Sequence, residues 1–128
     1  MKSRILMLAA VMVLGGAGRA LAHHSFTAEY DSTKKTAAAG VVTELVWRNP
    51  HSFMRMDVKG QDGTTTSWAL EWGSVSQLSK DSITRTTLKP GDYVEVQGSP
   101  ARDGAARRML IGSIKRPSDG WEWKGRVQ

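Results

Sequence analysis

Between Val41 and Val58 the chain reads VVTELVWRNPHSFMRMDV, two runs of alternating residues on either side of Asn49-Pro50-His51. Val41, Thr43, Leu45 and Trp47 are expected to share one face of the first run, and Met54, Met56 and Val58 one face of the second. That period of two is the mark of half-buried β-strands. Pro50 has no N–H for a ladder and biases Asn49 out of the helical region, so the chain is expected to turn here. A half-buried pair must be closed by further strands, and His51 then stands in a loop at its mouth, where scaffolds present functional groups.

The following segments supply those strands. Asp62-Gly63 is a hairpin signal, and Thr65 to Trp72 reads as a third strand in which Trp68, Leu70 and Trp72 alternate with Ala69 and Glu71. Gly73 breaks it. Ser74 stands three residues before Gln77, the spacing of a capping box, which predicts a helix of about two turns. Leu88 to Asp92 is a turn into a fourth strand, Tyr93 to Gly98, and a fifth runs from about Arg107 to Lys115. Met54, Met56 and Met109 are expected in the core, methionine being a common filler of irregular gaps. Three strands, a short helix and two strands is the order of a mainly all-β, five-stranded barrel of the oligonucleotide/oligosaccharide-binding (OB) type, with the helix between strands 3 and 4. A flat sandwich is the competing architecture, and it would leave two edges to protect.

The expected organisation is a signal peptide over residues 1–22, an arm over 23–39, the barrel over 40–116 and a tail over 117–128. Lys2 and Arg4 precede the apolar run Ile5 to Leu14, and Ala20-Leu21-Ala22 supplies a small-x-small cleavage pattern. The apolar run is too short to span a bilayer. The expected product starts at His23 and is periplasmic or secreted, with no membrane span after processing. Phe26 and Tyr30 are the apolar handles by which the arm would lie on the barrel. In the tail, Pro117 and Gly120 argue against a regular element, with Trp121 and Trp123 docking it on the surface.

The chain of 128 residues carries a formal charge of +6. Removing Lys2, Arg4 and Arg19 leaves 15 basic against 12 acidic residues, a small excess without the one-sided clustering of a phosphate-tracking surface, so no nucleic-acid partner is expected. Arg107-Arg108, the one dense basic pair, reads as a solvated strand edge. There is no cysteine. That excludes disulfide staples, thiolate metal sites and cysteine nucleophiles.

Several segments together suggest a family. A mature start of His-His-Ser-Phe, Trp-x-Asn-Pro-His from Trp47, Trp-x-x-Glu-x-Gly-Ser from Trp68, Leu-Lys-Pro-Gly-Asp from Leu88 and Ala-Arg-Asp-Gly from Ala101 resemble a family of small exported bacterial proteins known as a domain of unknown function. The resemblance spans nearly all of the mature chain and implies no activity or catalytic residue. Where members usually have Ser-Pro after the glycine, this chain has Ser74-Val75. Past Arg116 the likeness ends.

The three histidines are the chief chemical candidates. His23 and His24 would stand at the processed N-terminus, and His51 in the loop. A terminal amine with a pKa near 8 can become a neutral donor, and amine plus imidazole of His23 can chelate one ion. A further imidazole from His24 or His51 makes a nitrogen-rich set that suits copper(II), with zinc or nickel next. The arrangement is similar in chemistry to the histidine brace of copper proteins. Against this, a His-His pair equally fits a merely exposed arm, and His51 fits a loop residue donating to a carbonyl.

Glu71, between Leu70 and Trp72, is a candidate perturbed acid or ligand, with an outward-facing strand charge as the plain alternative. Trp47, Arg48, Glu71 and Trp72, with Phe53 and Arg55 nearby, form a candidate ligand surface for a sugar, peptide or protein of the cell envelope. The plain alternative has Trp47 filling the barrel and the arginines solvated. No phosphate loop, nucleophile elbow or HExxH segment is present, so no enzyme is expected. The reading is an exported non-enzymatic binding module, taking copper or an envelope ligand. An accessory subunit of a larger enzyme is a third and less favoured class.

Overall fold

The computed structural model describes residues 26–125. The signal segment 1–22 and the arm histidines His23 and His24 lie outside the described residues. The elements in order are α1 (Phe26–Glu29), β1 (Thr36–Val46), β2 (Phe53–Lys59), β3 (Thr65–Glu71), α2 (Val75–Lys80), β4 (Tyr93–Pro100), β5 (Arg108–Arg116) and β6 (Trp121–Lys124).

The sheet runs β3-β2-β1-β4-β5-β6, and an additional parallel pairing joins β3 to β5. That pairing closes five strands into a barrel, with α2 between β3 and β4, which is the OB-type arrangement. The closing seam matches Ala69 with Arg108, Leu70 with Met109 and Glu71 with Leu110. Met54, Met56, Leu70, Trp72, Val94 and Met109 are among the fully buried residues inside. The three candidate core methionines are all in this set. No described helix is long and apolar enough to cross a membrane.

Two bulges correct the expected strand faces. In β1, Val42 pairs with Met56 and Glu44 with Arg55, so Thr43 is the extra residue. Such an insertion reverses the alternation. Val42 rather than Val41 therefore enters the core, Val41 is exposed, and Leu45 and Trp47 return to the core side. A second irregularity, opposite Gln97 and Gly98, leaves Gly112 unmatched in β5. It allows Met109, Ile111 and Ile114 all to be buried despite their uneven spacing.

The helix starts as its capping pattern requires. Ser74 is extended, and its hydroxyl accepts from Gln77 N at 3.1 Å. The supposed tail, by contrast, is a strand. Residues 117–120 form a turn in which Gly120 N donates to Arg116 O at 3.0 Å with Gly120 at φ 74°. Pro117 and Gly120 are thus the turn chemistry of a β5–β6 hairpin rather than breakers of order. β6 alternates, so Trp123 enters the core, where it meets Trp72 edge-on at 5.3 Å. Its Nε1 donates to Asp81 Oδ2 at 3.0 Å, tying β6 to the end of α2.

The arm, too, is structured where it is described. β1 begins at Thr36, within the span 23–39 expected to be an arm. Tyr30 bridges to Ala101, and Asp31 N donates to Pro100 O at 2.9 Å. Arg102 N donates to Glu29 O at 2.9 Å, and its Nε to Thr27 O at the same length. Together these bonds fasten α1 beside the end of β4.

Candidate functional site

The loop carrying His51 is held from both sides. Ser52 Oγ accepts from Arg48 N at 3.3 Å and donates to Arg48 O at 3.1 Å, closing the turn around the Asn49–Pro50 peptide. Ser52 is fully buried and in backbone contact with the end of β3, through Ser52 N to Gly73 O and Trp72 N to Ser52 O. Asn49 Oδ1 accepts the Val75 N–H at 2.9 Å, capping α2. A proline at that position would have no N–H to give.

Glu71 ends β3 directly opposite Phe53. By parity it points away from the barrel interior, as a plain strand charge would. It is nevertheless only 5% exposed, because Tyr30 covers it. Tyr30 OH donates to Glu71 Oε2 at 2.5 Å, and His51 Nδ1 lies 2.7 Å from Glu71 Oε1. Arg108 Nη2 donates to Tyr30 OH at 3.2 Å and pairs with Glu29 Oε2 at 3.3 Å. The buried carboxylate is thus shared by a phenol and an imidazole, one on each oxygen.

Burial, then the hydrogen bond and charge of Glu71, push the Tyr30 phenol well above its ordinary pKa, with Arg108 pulling the other way. Tyr30 is therefore a neutral donor. On His51 the Glu71 contact occupies Nδ1, which assigns the proton of a neutral ring to that nitrogen and leaves the Nε2 lone pair for another partner. A carboxylate behind the imidazole is the usual backing of a metal-ligating histidine. The Phe26 ring lies 4.3 Å from that of His51, tilted by 32°. The arm therefore returns to this loop.

The remaining candidates are dispersed. Among the described residues no group of three or more His, Asp or Glu side chains is arranged to hold a metal ion. Trp72 is completely buried, so its ring presents no surface to a ligand and its place in the candidate ligand surface is corrected: the period of two carries it inward beside Trp123. Trp47 is half-buried against the core. Arg48 is exposed, its guanidinium 5.0 Å above the Phe53 ring. It edges a shallow groove of about 350 Å³ on the outer side of β1, β2 and β3, lined by Glu44, Val46, Phe53, Met54, Arg55 and Ala69. Arg55 there is paired with Glu44 at 3.1 Å.

Sequence reasoning missed the polar roles of Tyr30 and Arg108. Arg108 is not a free edge charge but the outer member of the network, while Arg107 lies 5.9 Å over the Trp68 ring. The available signal was the four-residue spacing of Phe26 and Tyr30, which puts both rings on one side of a helical turn.

No curated protein sequence matches the chain. Among solved structures it is similar to a small single-stranded DNA-binding protein from Streptomyces coelicolor, at 23% identity and TM-score 0.49, over 69% of this chain and 96% of that one. It is also similar to the ZRD-deleted mutant of TiaS in complex with agmatine, at 22% identity and TM-score 0.48, over 67% of this chain but 22% of that one. A family model matches residues 10–110, most of the chain and all of the Glu71 network, and on that match the protein belongs to the family of unknown function DUF6152.

Proposed function

We propose that the protein is an exported, non-enzymatic binding module that captures a transition-metal ion, copper first, at the mouth of its barrel. His51 Nε2 supplies one ligand. The amine and imidazole of His23, or the imidazole of His24, supply the others. One observation carries the reading: Glu71 holds the far nitrogen of His51 at 2.7 Å while Phe26, three residues after His23, packs on the same ring. Three residues of extended chain reach roughly 10 Å, so the covalent distance is compatible with a shared ion. Imidazole and amine nitrogens form a set that suits copper(II).

Titration of the processed protein with copper(II) tests this, beside a form with one extra residue before His23 and beside His51→Ala. Both changes should weaken binding by tenfold or more. Equal binding by all three forms would remove the site.

A second reading places an envelope ligand, a sugar, peptide or protein, in the groove beside Arg48. It is supported by the guanidinium that stacks on Phe53 and pairs with no carboxylate among the described residues. Bidentate recognition of an acidic group is what such a fork offers. Quenching of Trp47 fluorescence by acidic oligosaccharides or peptides, lost in Arg48→Ala, would support it. No quenching by any of them counts against it.

A further inference from the structure

The metal reading leaves open what aims His51, and the inference that follows rests on that reading. Hydrogen-bond donation runs in one direction along the arm side of the network. Arg108 Nη2 donates to the Tyr30 hydroxyl at 3.2 Å, and that hydroxyl donates to Glu71 Oε2 at 2.5 Å. From the other side His51 donates through Nδ1 to Oε1 at 2.7 Å. With one carboxylate oxygen occupied by the phenol, the other is the one that faces the imidazole.

Tyr30 is itself immobilised. It is 1% exposed, it bridges to Ala101 through the backbone, and the Arg108 guanidinium lies 5.7 Å over its ring. We propose that Tyr30 is a positioning residue for the metal site, its hydroxyl orienting Glu71 so that Glu71 locks His51 in the Nδ1–H tautomer with Nε2 turned to the ion. Partners of this kind behind a ligand typically change metal affinity by about 10- to 100-fold.

The position of Tyr30 in the chain gives this role a second meaning. It follows Phe26 by four residues and His24 by six, so one short segment carries both the arm imidazoles and the group that aims the barrel imidazole. Seating α1 and Tyr30 beside β4 thus orients His51 through Glu71. A metal that binds the seated arm must, by linkage, also stabilise the seating.

The test uses Tyr30→Phe, which keeps the ring and removes the hydroxyl, with Tyr93→Phe, at a tyrosine 50% exposed, as control. Long-range proton–nitrogen NMR correlations on the metal-free processed protein report the His51 tautomer, and competition titration reports copper(II) affinity. The parent and Tyr93→Phe should show one Nδ1–H tautomer and equal affinities. Folded Tyr30→Phe should show a mixture of tautomers and bind about tenfold more weakly.

An unchanged tautomer in folded Tyr30→Phe overturns the proposal, as does a mixed tautomer with full affinity when His51→Ala loses it. If His51→Ala also binds copper(II) as the parent does, the metal reading falls, and tautomer mixing then keeps Tyr30 as the residue that orients His51. Should Tyr30→Phe not fold, Arg108→Gln removes the donor to the same hydroxyl. A shift in the same direction supports the relay, and none overturns it.

Discussion

Glu71 receives His51 on one carboxylate oxygen and Tyr30 on the other, at 2.7 and 2.5 Å, with only 5% of its surface exposed. A loop, a strand end and the N-terminal arm therefore meet at one side chain. Its two acceptor oxygens serve two donors, of which Tyr30 is fully buried and His51 partly exposed.

Replacing that side chain with its amide tests the sharing. In Glu71→Gln a single carbonyl oxygen faces two donors, and the NH2 group opposes one of them. The loss should cost about 1–3 kcal/mol, the penalty of an unmet buried polar group. Urea denaturation of the parent and the variant would measure it. An unchanged midpoint would mean that Tyr30 and His51 do not both depend on the carboxylate.

Tyr30 predicts an alkaline limit to stability. Burial and Glu71 raise its pKa in the folded protein, whereas in the unfolded chain a tyrosine ionises near pH 10. The folded state thus keeps the proton longer, so the contribution is full below about pH 10 and is lost as pH rises toward the folded-state value. In a Tyr93→Phe background Tyr30 is the sole tyrosine of the original two. Its phenolate absorbance should then appear in the same transition that abolishes the β-sheet circular dichroism. A phenolate band titrating near pH 10 over an intact sheet would contradict this.

Trp123 should behave as a core residue. It is 7% exposed, meets Trp72 and donates to Asp81. Trp123→Ala is expected to cost about 3–5 kcal/mol, as large aromatic truncations in cores do. Thermal unfolding would show it. A surface-docked tail would lose almost nothing.

At Gly98 the backbone of β5 packs tightly against β4. A Cβ there would fall on the Leu110 carbonyl oxygen, which belongs to the backbone and cannot swing aside. Gly98→Ala should therefore destabilise by about 1–3 kcal/mol, the usual cost of overpacking. Chemical denaturation reads the change, and a neutral result would mean that the strands part easily at this point.

Much of the barrel was legible because the alternation of Met54, Met56, Leu70, Trp72, Val94 and Val96 runs uninterrupted within each strand, and because Ser74 and Gln77 carry their own capping signal. The face of β1 was not. A single extra residue at Thr43 reverses parity without leaving any compositional trace, since valine stands at both 41 and 42. β6 was hidden for a different reason: proline and glycine mark a hairpin turn and a disordered tail alike until a partner strand is known. At the site, His51 and Glu71 were each visible as chemistry-bearing residues in separate motifs. Their meeting depends on the β2–β3 register, and the roles of Tyr30 and Arg108 depend on contacts across 41 and 78 positions of chain, a separation at which local patterns carry no information.

The parallel seam between β3 and β5 is three residue pairs long, and Glu71 and Arg108 stand at its two ends. Parting that short zipper would turn the cylinder into an open ribbon and at the same stroke pull Glu71, which holds His51, away from Arg108, which holds Tyr30. The joint that makes the molecule a closed vessel and the joint that gives the imidazole its aim are one and the same, so anything that grips the rim also tightens the hoop.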